Sequence, residues 1–143
     1  MLVNRTEQGL PGHFICARDC LFRRNTLLRH NGIEIIVSTV GRYSNQLLEG
    51  EFQHVGCGRY YETMVFHAEN KMADVSREVD FDSSCSISEL SEESDDLANI
   101  MHENVVGEIT SRLLMDEFLN RGKEEKDSCP FCSRVNCMGG CFK

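Results

Sequence analysis

Tryptophan is absent, proline occurs only twice, and apolar runs are short. Ile35-Ile36-Val37 and Leu113-Leu114-Met115 are typical of them, whereas a membrane-spanning helix needs about 18 apolar residues or more. No span is expected. Residues 1–8 lack an apolar core of signal-peptide length, so the expected location is a reducing cytoplasm. Several catalytic signatures are missing too. No G-x-S-x-G elbow occurs. Gly56-Cys57-Gly58 has neither the third glycine nor the lysine of a phosphate cradle. His102-Glu103 is followed by Val106, where a helical zinc protease needs histidine. No catalytic residue is assigned. Cys57 with His54 or His67 offers a nucleophile and base in principle, but binding is expected over catalysis.

Lysine is also missing from the first 67 residues, whose seven basic side chains are all arginine against six acids. Residues 68–128 carry 6 basic and 17 acidic groups, and residues 129–143 carry Arg134 and Lys143 with no acid. The formal charge of −8 therefore resides in the middle segment. That balance argues against general double-stranded DNA binding and leaves room for an acidic DNA-mimic inhibitor.

In the 143 residues the pattern predicts one α+β domain. Residues 1–70 read as a small, mostly antiparallel sheet. Asn31-Gly32 is a hairpin signal before the β-branched run Ile33-Glu34-Ile35-Ile36-Val37-Ser38-Thr39-Val40. Residues 60–66 carry large side chains on both faces, as a central strand does. Shorter strands are expected at 52–55 and 13–16. Residues 71–93, acidic and serine-rich, read as a solvated connection. A helix is expected over 94–122, with Leu97, Ile100, Met101, Val105, Ile109 and Leu113 as its apolar stripe and Gly122 as its stop. Residues 123–143 form a cysteine-rich tail.

Four of the eight cysteines sit in that tail. Cys129, Cys132, Cys137 and Cys141 have the spacing C-x2-C-x4-C-x3-C. Four thiolates about 2.3 Å from one ion make a closed tetrahedral zinc site, so Zn²⁺ is the expected cofactor. An iron–sulfur cluster, a redox-active Cys-Pro-Phe-Cys pair and idle thiols are the competing readings. The segment resembles a zinc knuckle in which Cys137 stands at the usual histidine and the last gap is one residue shorter. A second metal site is conceivable from two H-x2-C pairs, His13 with Cys16 and His54 with Cys57.

Arg23, Arg24, Arg42, Tyr43, Arg59, Tyr60 and Tyr61 combine guanidinium groups with aromatic rings, which can hold phosphate and stack bases. A small nucleotide is thus one expected ligand. Surface arginines paired with Glu34, Glu49, Glu51 and Glu62 are the alternative. Ser38-Thr39-Val40-Gly41-Arg42-Tyr43, Gly58-Arg59-Tyr60-Tyr61-Glu62, Glu78-Val79-Asp80-Phe81 and His102-Glu103-Asn104-Val105-Val106 together resemble small tailed-phage proteins of unassigned function. The resemblance implies a phage accessory factor that meets a host protein in the host cytoplasm. It implies no catalytic residue.

Overall fold

A computed structural model describes residues 2–8, 19–44 and 52–118. It is an α+β structure, with a six-stranded antiparallel sheet followed by one helix. The strands are β1 (Asn4–Gln8), β2 (Cys20–His30), β3 (Ile33–Tyr43), β4 (Tyr61–Glu69), β5 (Met72–Glu78) and β6 (Ser86–Ile87). Helix α1 spans Ser94–Leu114. The sheet order is β1-β2-β3-β4-β5, with β6 beside β4.

Asn31 and Gly32 have φ of 53° and 80°, so the predicted hairpin forms with both central residues left-handed. It sets the β2–β3 register, with His30 opposite Ile33 and Thr26 opposite Val37. Asn70 and Lys71 turn β4 into β5 with φ of 52° and 68°, although lysine has a side chain that disfavours this region. A register shift between Phe66 and Ala68 lets β5 swing away from a flat sheet. The curl is strong. Gln8 on β1 donates to the Lys71 carbonyl at 3.1 Å, across the width of three strands, and Glu34 accepts the Lys71 backbone N–H at 2.8 Å.

Alternation divides the strands into two buried faces. Leu28, Ile35, Val37 and Val65 meet Val105, Val106, Ile109 and Leu113 of α1. Each such side chain contributes roughly 1.5–3 kcal/mol on burial. On the opposite face, Leu27 and Ile36 pack with Ala68, and Cys20 and Val40 with Val55. Gly41 opposes Tyr61 across β3 and β4, and a side chain at Gly41 would run into the Tyr61 ring. That is why glycine interrupts an otherwise β-branched strand.

Three expectations change. Gln53 makes only an isolated bridge to Tyr43, so 52–55 is not a strand. The expected strand at 13–16 lies outside the described residues. Residues 71–93 are more than a connection, because β5 and β6 lie within them and complete the sheet. Finally, α1 ends at Leu114, well before Gly122. Asp116 adopts φ 58°, its N–H bonds the Leu113 carbonyl at 3.0 Å, and the Glu117 N–H bonds the Arg112 carbonyl at 3.0 Å. This paired closure ends a helix through one left-handed residue, usually glycine. Here aspartate takes that place.

Candidate functional site

The centre of the helix–sheet interface is polar. His102 is fully buried and held at both ring nitrogens. Nε2 lies 2.8 Å from Thr26 Oγ1, and Nδ1 lies 2.7 Å from Thr39 Oγ1. Thr39 in turn lies 2.6 Å from Thr63 Oγ1. Thr26 reaches the Glu7 carboxylate at 2.9 and 3.0 Å.

Proton directions follow from the one group that can only accept. A carboxylate has no proton to give, so Thr26 donates to Glu7. Thr26 must then accept from His102 Nε2–H. That leaves Nδ1 bare, and Thr39 donates to it. Having spent its one proton, Thr39 accepts from Thr63. A neutral imidazole satisfies every member of this chain. Burial, reinforced by the Arg24 charge, pushes the His102 pKa down to about 4.

Around this spine lies an ion network between β1 and α1. Arg5 grips Glu103 with both terminal nitrogens, at 2.9 and 2.6 Å. Arg24 reaches Glu103 at 2.9 Å and Glu7 at 3.0 Å. Arg5 hydrogen bonding holds the Glu103 carboxyl down at about 2. Burial alone would raise Glu7, but bonds from Arg24, Thr26 and Arg5 outweigh it and leave its pKa low. A planar guanidinium matches a carboxylate fork, so arginine suits this role better than lysine. The arrangement fixes which face of α1 meets the sheet.

The arginine and tyrosine residues expected to form a ligand pocket are placed apart. Arg24 belongs to the ion network. Arg42 lies 3.1 Å from the Tyr61 hydroxyl and 3.2 Å from Asp95, and its guanidinium stands over the Phe52 ring. Tyr61 is buried and donates to Asp95 at 2.5 Å. Burial first, then that carboxylate, pushes its pKa up to about 12. Arg59 pairs with Glu62 at 3.2 Å, one of the pairings expected from sequence. Burial raises the Glu62 pKa. Tyr43 packs near Cys20 and Val40, Tyr60 packs edge-on against His54, and Arg23 is exposed on β2. Two open hollows, of about 370 and 450 Å³, are lined by other residues, among them Arg29, His30 and Glu34 in one, Asp82, Glu108 and Arg112 in the other.

Cys57 is exposed at a tight turn, where the Arg59 N–H meets the Gly56 carbonyl and Gly58 takes φ 72°. His54 turns instead to the Tyr60 ring, 4.4 Å between centroids. Among the described residues, no three histidine, cysteine or acidic side chains gather as a metal site. His13, Cys16, Cys129, Cys132, Cys137 and Cys141 lie outside those residues.

The outward side of α1 departs from the expected stripe. Met101, Val105, Ile109 and Leu113 are buried as predicted, but Leu97 and Ile100 are 47% and 56% exposed. Helical periodicity alone cannot tell two apolar edges of one helix from one broad stripe. No helix among the described residues is long and apolar enough to cross a membrane. Compared with protein-family models, curated proteins and solved structures, the chain matches none.

Proposed function

We propose that this protein is a small zinc-containing binding module that acts by docking onto another protein. In this reading Cys129, Cys132, Cys137 and Cys141 hold one Zn²⁺ in a thiolate site, as their spacing suits. The observation that carries the docking role is the outward face of α1. It leaves Leu97, Ile100 and Leu114 exposed, while Arg24, Arg42 and Arg59 are engaged by Glu7 and Glu103, by Asp95, and by Glu62. Apolar side chains left in water on a rigid element favour a partner surface. Pre-engaged guanidinium groups favour a nucleotide pocket less. A phage accessory factor directed at host machinery or defence, in the host cytoplasm, is the setting this reading takes.

A second reading has its own support. Asp80, Asp82, Glu89, Glu92, Glu93 and Asp96 are exposed and make no ion pair among the described residues. Such a strip suits imitation of a phosphate backbone.

The test measures metal and partner on one sample. Protein purified without chelator should carry one zinc per chain by mass spectrometry of the metal, and Cys129→Ser with Cys132→Ser should lose it. Crosslinked capture from bacterial lysate should recover a defined partner. Metal-free protein with four titratable tail thiols would refute the zinc assignment. Capture confined to DNA-binding proteins, and abolished by moderate salt, would favour mimicry instead.

A further inference from the structure

Leu97, Ile100, Asn104, Gly107, Ser111 and Leu114 follow one another at intervals of 3, 4, 3, 4 and 3. On a helix this spacing makes a straight seam of the kind that a second helix packs against. It runs opposite the buried residues Val105, Ile109 and Leu113. Leu97, Ile100 and Leu114 are 47%, 56% and 47% exposed. At the middle, a side chain on Gly107 would meet nothing within 4 Å. Glycine here costs the helix about 1 kcal/mol relative to alanine, and no packing among the described residues requires it. A bare backbone at mid-seam does let another helix approach closely.

Charge selects the occupant. Glu93 and Asp96 flank the N-terminal end of the seam, are exposed, and pair with no cation among the described residues. Arg112 is the one basic residue of α1. It is held by Glu117 and the Asp80 carbonyl, and Glu108 lies 3.7 Å away. A second copy of this chain would bring an equally acidic helix with no available cation. The complement is apolar along one stripe and basic beside it.

We infer that this seam is the docking groove for a basic amphipathic helix of a partner protein. The inference rests on the binding-module reading and names its surface. Leu97 to Leu114 spans about 26 Å at 1.5 Å per residue, so the partner helix contributes about five turns. Leucine or methionine side chains fill the ends against Leu97, Ile100 and Leu114. Lysine or arginine reaches Glu93 and Asp96, and the closest approach falls at Gly107.

Two 18-residue peptides of identical leucine and lysine composition test it, one with leucines at helical spacing and one scrambled. Both are titrated by fluorescence anisotropy at about 150 mM salt, where exposed charges are screened beyond about 8 Å. The patterned peptide should bind at least about tenfold tighter, a difference of about 1.4 kcal/mol. Gly107→Leu should erase that preference while preserving or raising the melting temperature, because the position faces open space. Ile100→Ser should weaken it, whereas Val75→Ser, on the exposed part of β5, should not. Equal binding of the two peptides would overturn the proposal in favour of charge alone. So would a preference that survives Gly107→Leu, or sedimentation showing a dimer that Ile100→Ser dissolves. Lysate capture that persists in Gly107→Leu would refute this groove while leaving the binding-module reading standing.

Discussion

Acid should destabilise this fold from about pH 6.5 downward, because two imidazoles are buried neutral. His102 and His67 both have pKa values lowered from 6.5 to about 4, His102 by burial and Arg24 against the opposing charges of Glu7 and Glu103, His67 by burial and Arg77 against that of Asp74. A histidine with a depressed native pKa takes up its proton in the unfolded chain first. The contribution of each imidazole therefore falls as pH drops from about 6.5 towards 4 and is constant above and below that window; below it, protonation of Glu103 and Glu7, whose carboxyls are held low, takes over the loss. At 1.36 kcal/mol per pKa unit, each group costs about 2 kcal/mol between pH 7.5 and pH 5, and the pair about 4 kcal/mol. Urea unfolding followed by circular dichroism at pH 7.5, 6 and 5 measures the loss. His67→Leu gives the internal control. His67 Nε2 has no hydrogen-bond partner among the described residues and its ring packs edge-on against Phe118, so an apolar replacement forfeits no described bond at that nitrogen. The variant should lose about 2 kcal/mol over the same interval instead of about 4. Parallel pH curves for wild type and His67→Leu would refute the reasoning, as would a wild-type loss below about 1 kcal/mol.

The remaining predictions concern single contacts. Thr39→Val leaves His102 Nδ1 without its donor in a buried interface and should cost about 1–3 kcal/mol in chemical denaturation. Gly41→Ala drives a methyl into the Tyr61 ring and should lower stability by about 1–3 kcal/mol, read as a lower melting temperature. Lys71→Gly relieves a left-handed lysine whose turn uses only its backbone N–H and carbonyl in the contacts to Glu34 and Gln8. It should raise stability by about 0.5–1 kcal/mol; a decrease would show that the lysine side chain contributes to the turn.

What the sequence revealed was local. Asn31-Gly32 announced its hairpin because a two-residue turn with both φ positive draws on few residue types. Met101, Val105, Ile109 and Leu113 announced a helix because the buried face of a helix repeats in sequence. β2 was hidden. Its interface positions include Arg24 and Thr26, which read as surface until Glu7 and Glu103 arrive from elements far away in the chain. The spine was hidden for the same reason, since His102 lies 76 residues from Thr26 and 63 from Thr39. Gly122 misled because the helix stops at an aspartate in the conformation where glycine is usual.

The clamp between Arg5 and Glu103 joins residues 98 positions apart. A ribosome adding about 5–20 residues per second releases β1 roughly 5–20 s before the helix that holds it. During that interval β2, β3 and β4 can pair through near-neighbour turns, whereas the first strand has its ladder but not its anchor. Closing the structure is therefore an event of chain completion. Glu7 and Arg5 wait, with their charges hydrated, until α1 emerges to seal the imidazole between the threonines. Any partner that captures α1 as it appears competes with the protein's own N-terminal strand for when, though not for which face, it docks.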